Sequence, residues 1–231
     1  MRLLLGAILL LPAAAQITPA PADSATWYLV FLRRAPDRKP LTQAEGNRIQ
    51  EAHMDNIRAM AARGVLVAAG PFEDTPPTIS GIFVFHAPSL EEARRIARQD
   101  PTVIEHRNNV EVYEWRGPAG LGAEYRRLHA ADPKTPEDMG VQPLALLYRG
   151  AAEPSKEVAE AHTAYVNRLR AEGKLATAGP VEGDPQLRGV LIFQRIPDGE
   201  ARALIDADPA VKAGALRAEY HRWWCAAHVL P

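Results

Sequence analysis

"HMDNIRAMAARGVLVAAGP", His53–Pro71, returns later in the chain as "HTAYVNRLRAEGKLATAGP", His162–Pro180. Both stretches run nineteen residues from a histidine to a Gly-Pro, with an inner glycine at the same offset, Gly64 and Gly173. The likeness spreads outward from there. Apolar runs precede it ("WYLVFLRR", Trp27–Arg34; "PLALLYRG", Pro143–Gly150) and others follow it ("SGIFVFHA", Ser80–Ala87; "LRGVLIFQR", Leu187–Arg195). Next come "SLEEARRIARQDP" and "DGEARALIDADP", ending at Pro101 and Pro209. Each copy closes on an apolar segment carrying a tryptophan, Trp115 or Trp223. An ordered recurrence on this scale marks a tandem duplication.

The periods give the elements of each unit. Short runs rich in β-branched and aromatic residues, bounded by breakers, read as strands. In the first copy Ile49, His53, Ile57 and Met60 fall at helical spacing, as do Val158, His162, Val166 and Leu169 in the second. Gly64 and Gly173 stand where a helix ends on a left-handed residue. "SLEEARRIA" and "DGEARALIDA" open with a capping residue and acidic first-turn residues, so each starts a helix. The order is β-α-β-β-α-β, twice, which is an α+β ferredoxin-like arrangement with helices on one sheet face. Two such sheets in one chain can bury each other's bare faces, giving an intramolecular dimeric α/β barrel. The expected organisation is repeat 1 over 26–116, a linker over 117–141 with a short helix near Ala123–Ala130, and repeat 2 over 142–231.

Residues 1–15, "MRLLLGAILLLPAAA", carry a positive start, an apolar run and an A-x-A-like end, the pattern of a secretory signal peptide. They are too short to span a membrane. The expected location is therefore exported, periplasmic or secreted, with no membrane attachment after cleavage. The 27 basic and 28 acidic residues are well mixed, so no basic stripe invites nucleic acid. Cys225 is the single cysteine, so no internal disulfide forms, and its neighbours "WWCAA" place it in the core.

His53 and His162 are the candidate catalytic bases, although a helix histidine on an apolar face also serves as a plain core residue. Asp100 and Asp208, each followed by proline, are natural caps for a following turn. They are also anions near a helix C-terminus, where a cation is favoured, and a histidine from the first helix could be that partner. Such a pairing fixes one ring nitrogen as a donor and leaves the other as a base. Gly70, Pro71 and Glu73, with Gly179, Pro180 and Glu182, form the loop after each histidine helix and are candidate substrate contacts. No paired histidine spacing suggests a metal site, and no nucleophile elbow or phosphate loop occurs. No cofactor is expected.

The ordered set of helix histidine, "G-x-L-x-x-A-G-P", "E-A-R" helix ending in Asp-Pro, and strand with terminal tryptophan resembles the YCII-related (YciI-like) domain family, in two copies. The resemblance covers Thr26–Arg116 and Gln142–Ala227. It implies a dimeric α/β barrel related in fold to muconolactone isomerase. It also implies a His-Asp pair suspected of catalysis, with dehydrochlorinase-type chemistry in one branch. By position the pairs are His53 with Asp100 and His162 with Asp208. Copy one departs at "DPTVIEH", where His106 stands at the position of Gly214 and is expected to narrow a pocket. It also carries an insertion, "APDRKPLTQAEGNR". One copy is then active and the other structural.

Three functions fit. The first is a cofactor-independent lyase or isomerase moving a proton on a small organic molecule, in a pocket lined by the sheets between the copies. The second is a periplasmic module that binds a small ligand without chemistry. The third is a structural or partner-binding protein. The chain is expected as a monomer with an internal pseudo-dimer, or as a further homodimer.

Overall fold

The computed structural model describes residues 18–73 and 78–231, so the signal pattern lies outside the described residues. The first unit runs β1 (Ser24–Arg34), α1 (Gln43–Ala62), β2 (Leu66–Pro71), β3 (Ile79–Phe85), α2 (Leu90–Ala97), α3 (Pro101–Ile104) and β4 (Asn108–Pro118). A helix in the connection, α4 (Ala123–Ala131), leads to the second unit. That unit repeats the order as β5 (Gly140–Arg149), α5 (Lys156–Ala171), β6 (Leu175–Glu182), β7 (Leu187–Phe193), α6 (Asp198–Ala207), α7 (Pro209–Lys212) and β8 (Leu216–Cys225).

Local chemistry sets the ends of the histidine helices. Thr42 caps α1 in a reciprocal box with Glu45, and Ser155 caps α5 by accepting from the Val158 N–H. Gly64 (φ 71°) and Gly173 (φ 67°) follow the last turns in the left-handed region, as the sequence requires.

The eight strands pair antiparallel in the order β2-β3-β1-β4-β6-β7-β5-β8. The two copies join at both edges, so the sheet closes on itself. At one seam Trp115 of β4 pairs with Val181 of β6, and at the other Phe72 bridges Trp223 of β8. Closure removes the exposed strand edges that two separate sheets would present. Alternate residues then face two ways. Leu29 and Phe31 of β1, with Leu144 and Leu146 of β5, point into the barrel, while Val30 and Ala145 face the helices. The terminal tryptophans are fully buried in this interior, and Cys225 lies there too, its thiol pushed up to about 12 by burial.

The Gly-Pro motif belongs to the seams. A Cβ on Gly70 would lie 1.9 Å from the Trp224 carbonyl oxygen, and one on Gly179 would lie 1.9 Å from the Arg116 carbonyl oxygen. Glycine is needed at both because the backbone of the other copy occupies the space a side chain would take.

Two expectations change. Inward side chains of both copies fill the space between the sheets, so it packs as core. His106 does not narrow a pocket either. It is exposed, and like Gly214 it has positive φ (51° and 69°), so the position serves a left-handed turn rather than a ligand's approach. The connection between the copies also does more than join them. Leu121 is buried in the barrel core, and the N–H groups of Gly122 and Tyr125 donate to the carbonyls of Val229 and His228. Among the described residues no helix is long and apolar enough to cross a membrane.

Candidate functional site

Each histidine meets the aspartate of its own copy. His53 Nδ1 lies 2.8 Å and 3.0 Å from the Asp100 carboxylate oxygens, and His162 Nδ1 lies 2.8 Å and 2.9 Å from those of Asp208. Each aspartate of the Asp-Pro pairs also caps the short helix that follows it. Asp100 caps α3 by accepting from the Thr102 N–H at 2.9 Å, and Asp208 caps α7 by accepting from the Ala210 N–H at 2.8 Å. A carboxylate accepts only, so Nδ1 is the donor and Nε2 is the basic nitrogen of each neutral ring.

Beyond this shared frame the copies differ. Asp100 also accepts from the Thr102 hydroxyl at 2.5 Å and from Asn56 Nδ2 at 3.0 Å. Asn108 Nδ2 then donates to the Thr102 hydroxyl, and the Ser80 hydroxyl donates to Asn108 Oδ1. The corresponding positions in copy two are Tyr165, Ala210, Leu216 and Arg188, so this network is a property of copy one. Burial by itself would raise the Asp100 carboxyl. The hydrogen bond and charge of His53, with the bonds from Thr102 and Asn56, outweigh it and hold the group below the usual carboxylate range.

This shift has a sign that can be tested. A carboxylate with a depressed folded pKa contributes stability that is complete above its unfolded value, near ~3.9. That contribution is lost as pH falls through the lower folded value. Urea unfolding of wild type and Asp100→Asn should therefore differ most above about pH 4 and converge in stronger acid. A gap that stays constant down to the acid limit would show that ionised Asp100 stabilises nothing.

The surroundings of the two Nε2 atoms also differ. His53 lines a cavity of about 910 Å³ between α1 and the β2–β3 strands, and its side chain is 13% exposed. Gly70 and Pro71 line the same cavity. His162 is 0% exposed. Its Nε2 lies 3.3 Å from the hydroxyl of Thr18, which is itself buried, and the Pro19 carbonyl accepts from Arg170 at 2.7 Å. A Cβ on Gly189 would touch the Thr18 side chain at 2.6 Å, so this glycine makes room for the segment. The chain's own residues thus occupy copy two where copy one is open. Gly179 and Pro180 are buried there.

Glu73 and Glu182 sit apart from both histidines. Glu73 lies 3.3 Å from Arg222, and Glu182 lies 4.0 Å from Arg116, each pair across a seam. Sequence reading did not single out the far wall of the cavity. Tyr125, Arg126, Glu137 and Met139 from the connection, and Trp224 and Val229 from the end of copy two, complete it. Only the fold brings them there. The polar support of Asp100 did leave a signal, since Asn56, Thr102 and Asn108 all face apolar or aromatic counterparts in copy two. Among the described residues no group of three or more His, Cys, Asp or Glu side chains could hold a metal ion.

With both His-Asp pairs closed and two like units joined, the family is decided by the sequence match. The YCII-related domain matches residues 26–116 and again 141–223. The chain belongs to this family. Its two YCII-related units form one barrel, and solved structures share the architecture at low identity. One is a protein provisionally named a chlorite dismutase (TM-score 0.52, 11% identity, 86% of this chain and 94% of that one). Another is a heme-binding protein from Thermus thermophilus (TM-score 0.50, 15% identity, 89% and 94%). At these identities the likeness is one of fold. No curated protein matches the chain.

Proposed function

We propose that this YCII-related protein is an exported, cofactor-independent lyase or isomerase whose working site is the open cavity of copy one. The observation that supports it most is the combination at His53. One ring nitrogen is held by a buried, ionised carboxylate, while the side chain reaches a cavity large enough for a small organic molecule. In this reading His53 Nε2 removes a proton from an acidic carbon, and Asp100 stabilises the imidazolium that forms. The same nitrogen then returns the proton to a second carbon in an isomerisation, or retains it while a leaving group departs in an elimination. Asn56 and Thr102 orient Asp100, and Thr102 also lines the cavity. Copy two supplies one wall of the site and the closure of the barrel. Export rests on the N-terminal signal pattern.

The test is deuterium exchange in D2O, followed by proton NMR, across a panel of unsaturated cyclic ketones and lactones. Wild type should wash out specific C–H signals. His53→Asn should slow that by about 100- to 10,000-fold, the usual contribution of a positioned general base. If no compound exchanges, or His53→Asn exchanges as fast as wild type, the cavity is a binding site without chemistry. The heme-binding structural relative supplies a control, because among the described residues one ring nitrogen of His53 has no protein hydrogen-bond partner. A Soret band that forms on hemin addition and is lost in His53→Ala would replace proton transfer with ligation.

A further inference from the structure

The rim of the open cavity carries an excess of one charge. Arg34, Arg38, Arg58, Arg107 and Arg126 line it, against a single carboxylate, Glu137. Three of these cations already have partners: Arg58 pairs with Asp55, and Arg107 and Arg126 donate to backbone carbonyls. Arg34 and Arg38 have no carboxylate partner among the described residues. The second copy shows what a purely structural version of this corner looks like. The N–H of Arg34 donates to the Thr78 carbonyl, and the N–H of Arg149 donates to that of Gln186 at the same place in β5. Four residues after Arg149 stands Glu153, which neutralises it in an ion pair. Four residues after Arg34 stands Arg38. Two like charges at one edge cost free energy unless an anion joins them. The Arg34 guanidinium accordingly sits below its ordinary range, through burial and then the charge of Arg38.

This corner adjoins the chemistry. Arg34 lies opposite Asn108 in the β1–β4 register, and Asn108 is linked through Thr102 to Asp100. Apolar side chains of Ile49, Ile57, Leu66 and Phe83 line the same cavity as the arginines and His53. We propose that the cavity takes an organic carboxylate, its apolar, ring-sized body against these side chains and its anionic end at Arg34 and Arg38. This inference rests on the reading of the cavity as the ligand site, but not on proton transfer by His53. It names the feature a natural substrate must carry, an acid group remote from the carbon that reacts.

Calorimetric titration of the full chain with 1-naphthoate and with 1-naphthamide, equal in shape and differing in charge, tests it. The acid should bind about tenfold tighter or better, and added salt should erode that advantage. Arg34→Gln with Arg38→Gln should abolish the preference and leave amide binding unchanged, while Arg149→Gln should alter neither. The His53 ring signals, and not those of His162, should shift on titration. Equal affinity for the two probes, a preference that survives the double variant, or no binding of either probe overturns the proposal. The two readings fail separately. Exchange that depends on His53 without any charge preference removes the carboxylate alone, and charge preference without exchange removes the lyase or isomerase alone.

Discussion

Gly179→Ala should cost about 3 kcal/mol or more of folding stability, at or beyond the upper end of what overpacking usually costs. The added Cβ would stand 1.9 Å from the Arg116 carbonyl oxygen and 3.0 Å from Trp115 Nε1. Neither neighbour can move cheaply. The Arg116 carbonyl is backbone at the seam where β4 meets β6, and Trp115 is fully buried, donating its indole N–H to the Gly179 carbonyl at 3.3 Å. Strain there would part β4 from β6 and expose the tryptophan, so urea unfolding followed by Trp fluorescence reads it directly. Gly46→Ala is the matched control. It lies within α1 with nothing inside 4 Å of its Cβ, and alanine there should stabilise by about 0.5–1 kcal/mol. If Gly179→Ala unfolds at the same urea concentration as wild type, the glycine is not a seam residue, and a role in ligand contact would regain priority.

The second large effect separates the two histidines. His162→Ala should cost about 3–5 kcal/mol, because it removes a fully buried ring and takes a hydrogen-bond donor from the buried Asp208. Among the described residues Asp208 would keep only the Ala210 N–H, and Thr18 would lose the ring against which it sits. His53→Ala should cost only about 1–2 kcal/mol. Asp100 retains the Thr102 N–H, the Thr102 hydroxyl and Asn56, and the vacated space opens onto an existing cavity. Equilibrium urea unfolding of both variants measures the difference. Equal losses would mean that the Asp100 network does not hold its carboxylate independently, and would weaken the case for copy one as the working site. The result bears on function because a histidine that can be removed at little cost to stability is not there to hold the fold.

The carboxylates show how far residue patterns reach. Asp100 and Asp208 were legible because Asp-Pro after a helix has few uses, and the fold shows capping and histidine pairing at once. Glu73 and Glu182 share a loop position with the Gly-Pro motif but side with the seams, a choice that depends on Arg222 and Arg116 from strands distant in sequence. His106 looked like a wall in the linear comparison, yet the backbone turns its side chain to solvent.

The sequence by itself determined the duplicated βαββαβ units, the caps of the histidine helices and the family, because helix periods, strand alternation and turn glycines are local properties that neighbouring residues express together. Which copy is open was decided only in three dimensions. Thr18 and Pro19 lie more than a hundred residues from His162 and Arg170, and no local pattern announces that they fill the second site. The cavity wall has the same origin: the connection and the C-terminal residues reach copy one only after both seams have closed the barrel. Contacts at that separation are set by packing of the whole chain, so they become visible only once the chain is folded.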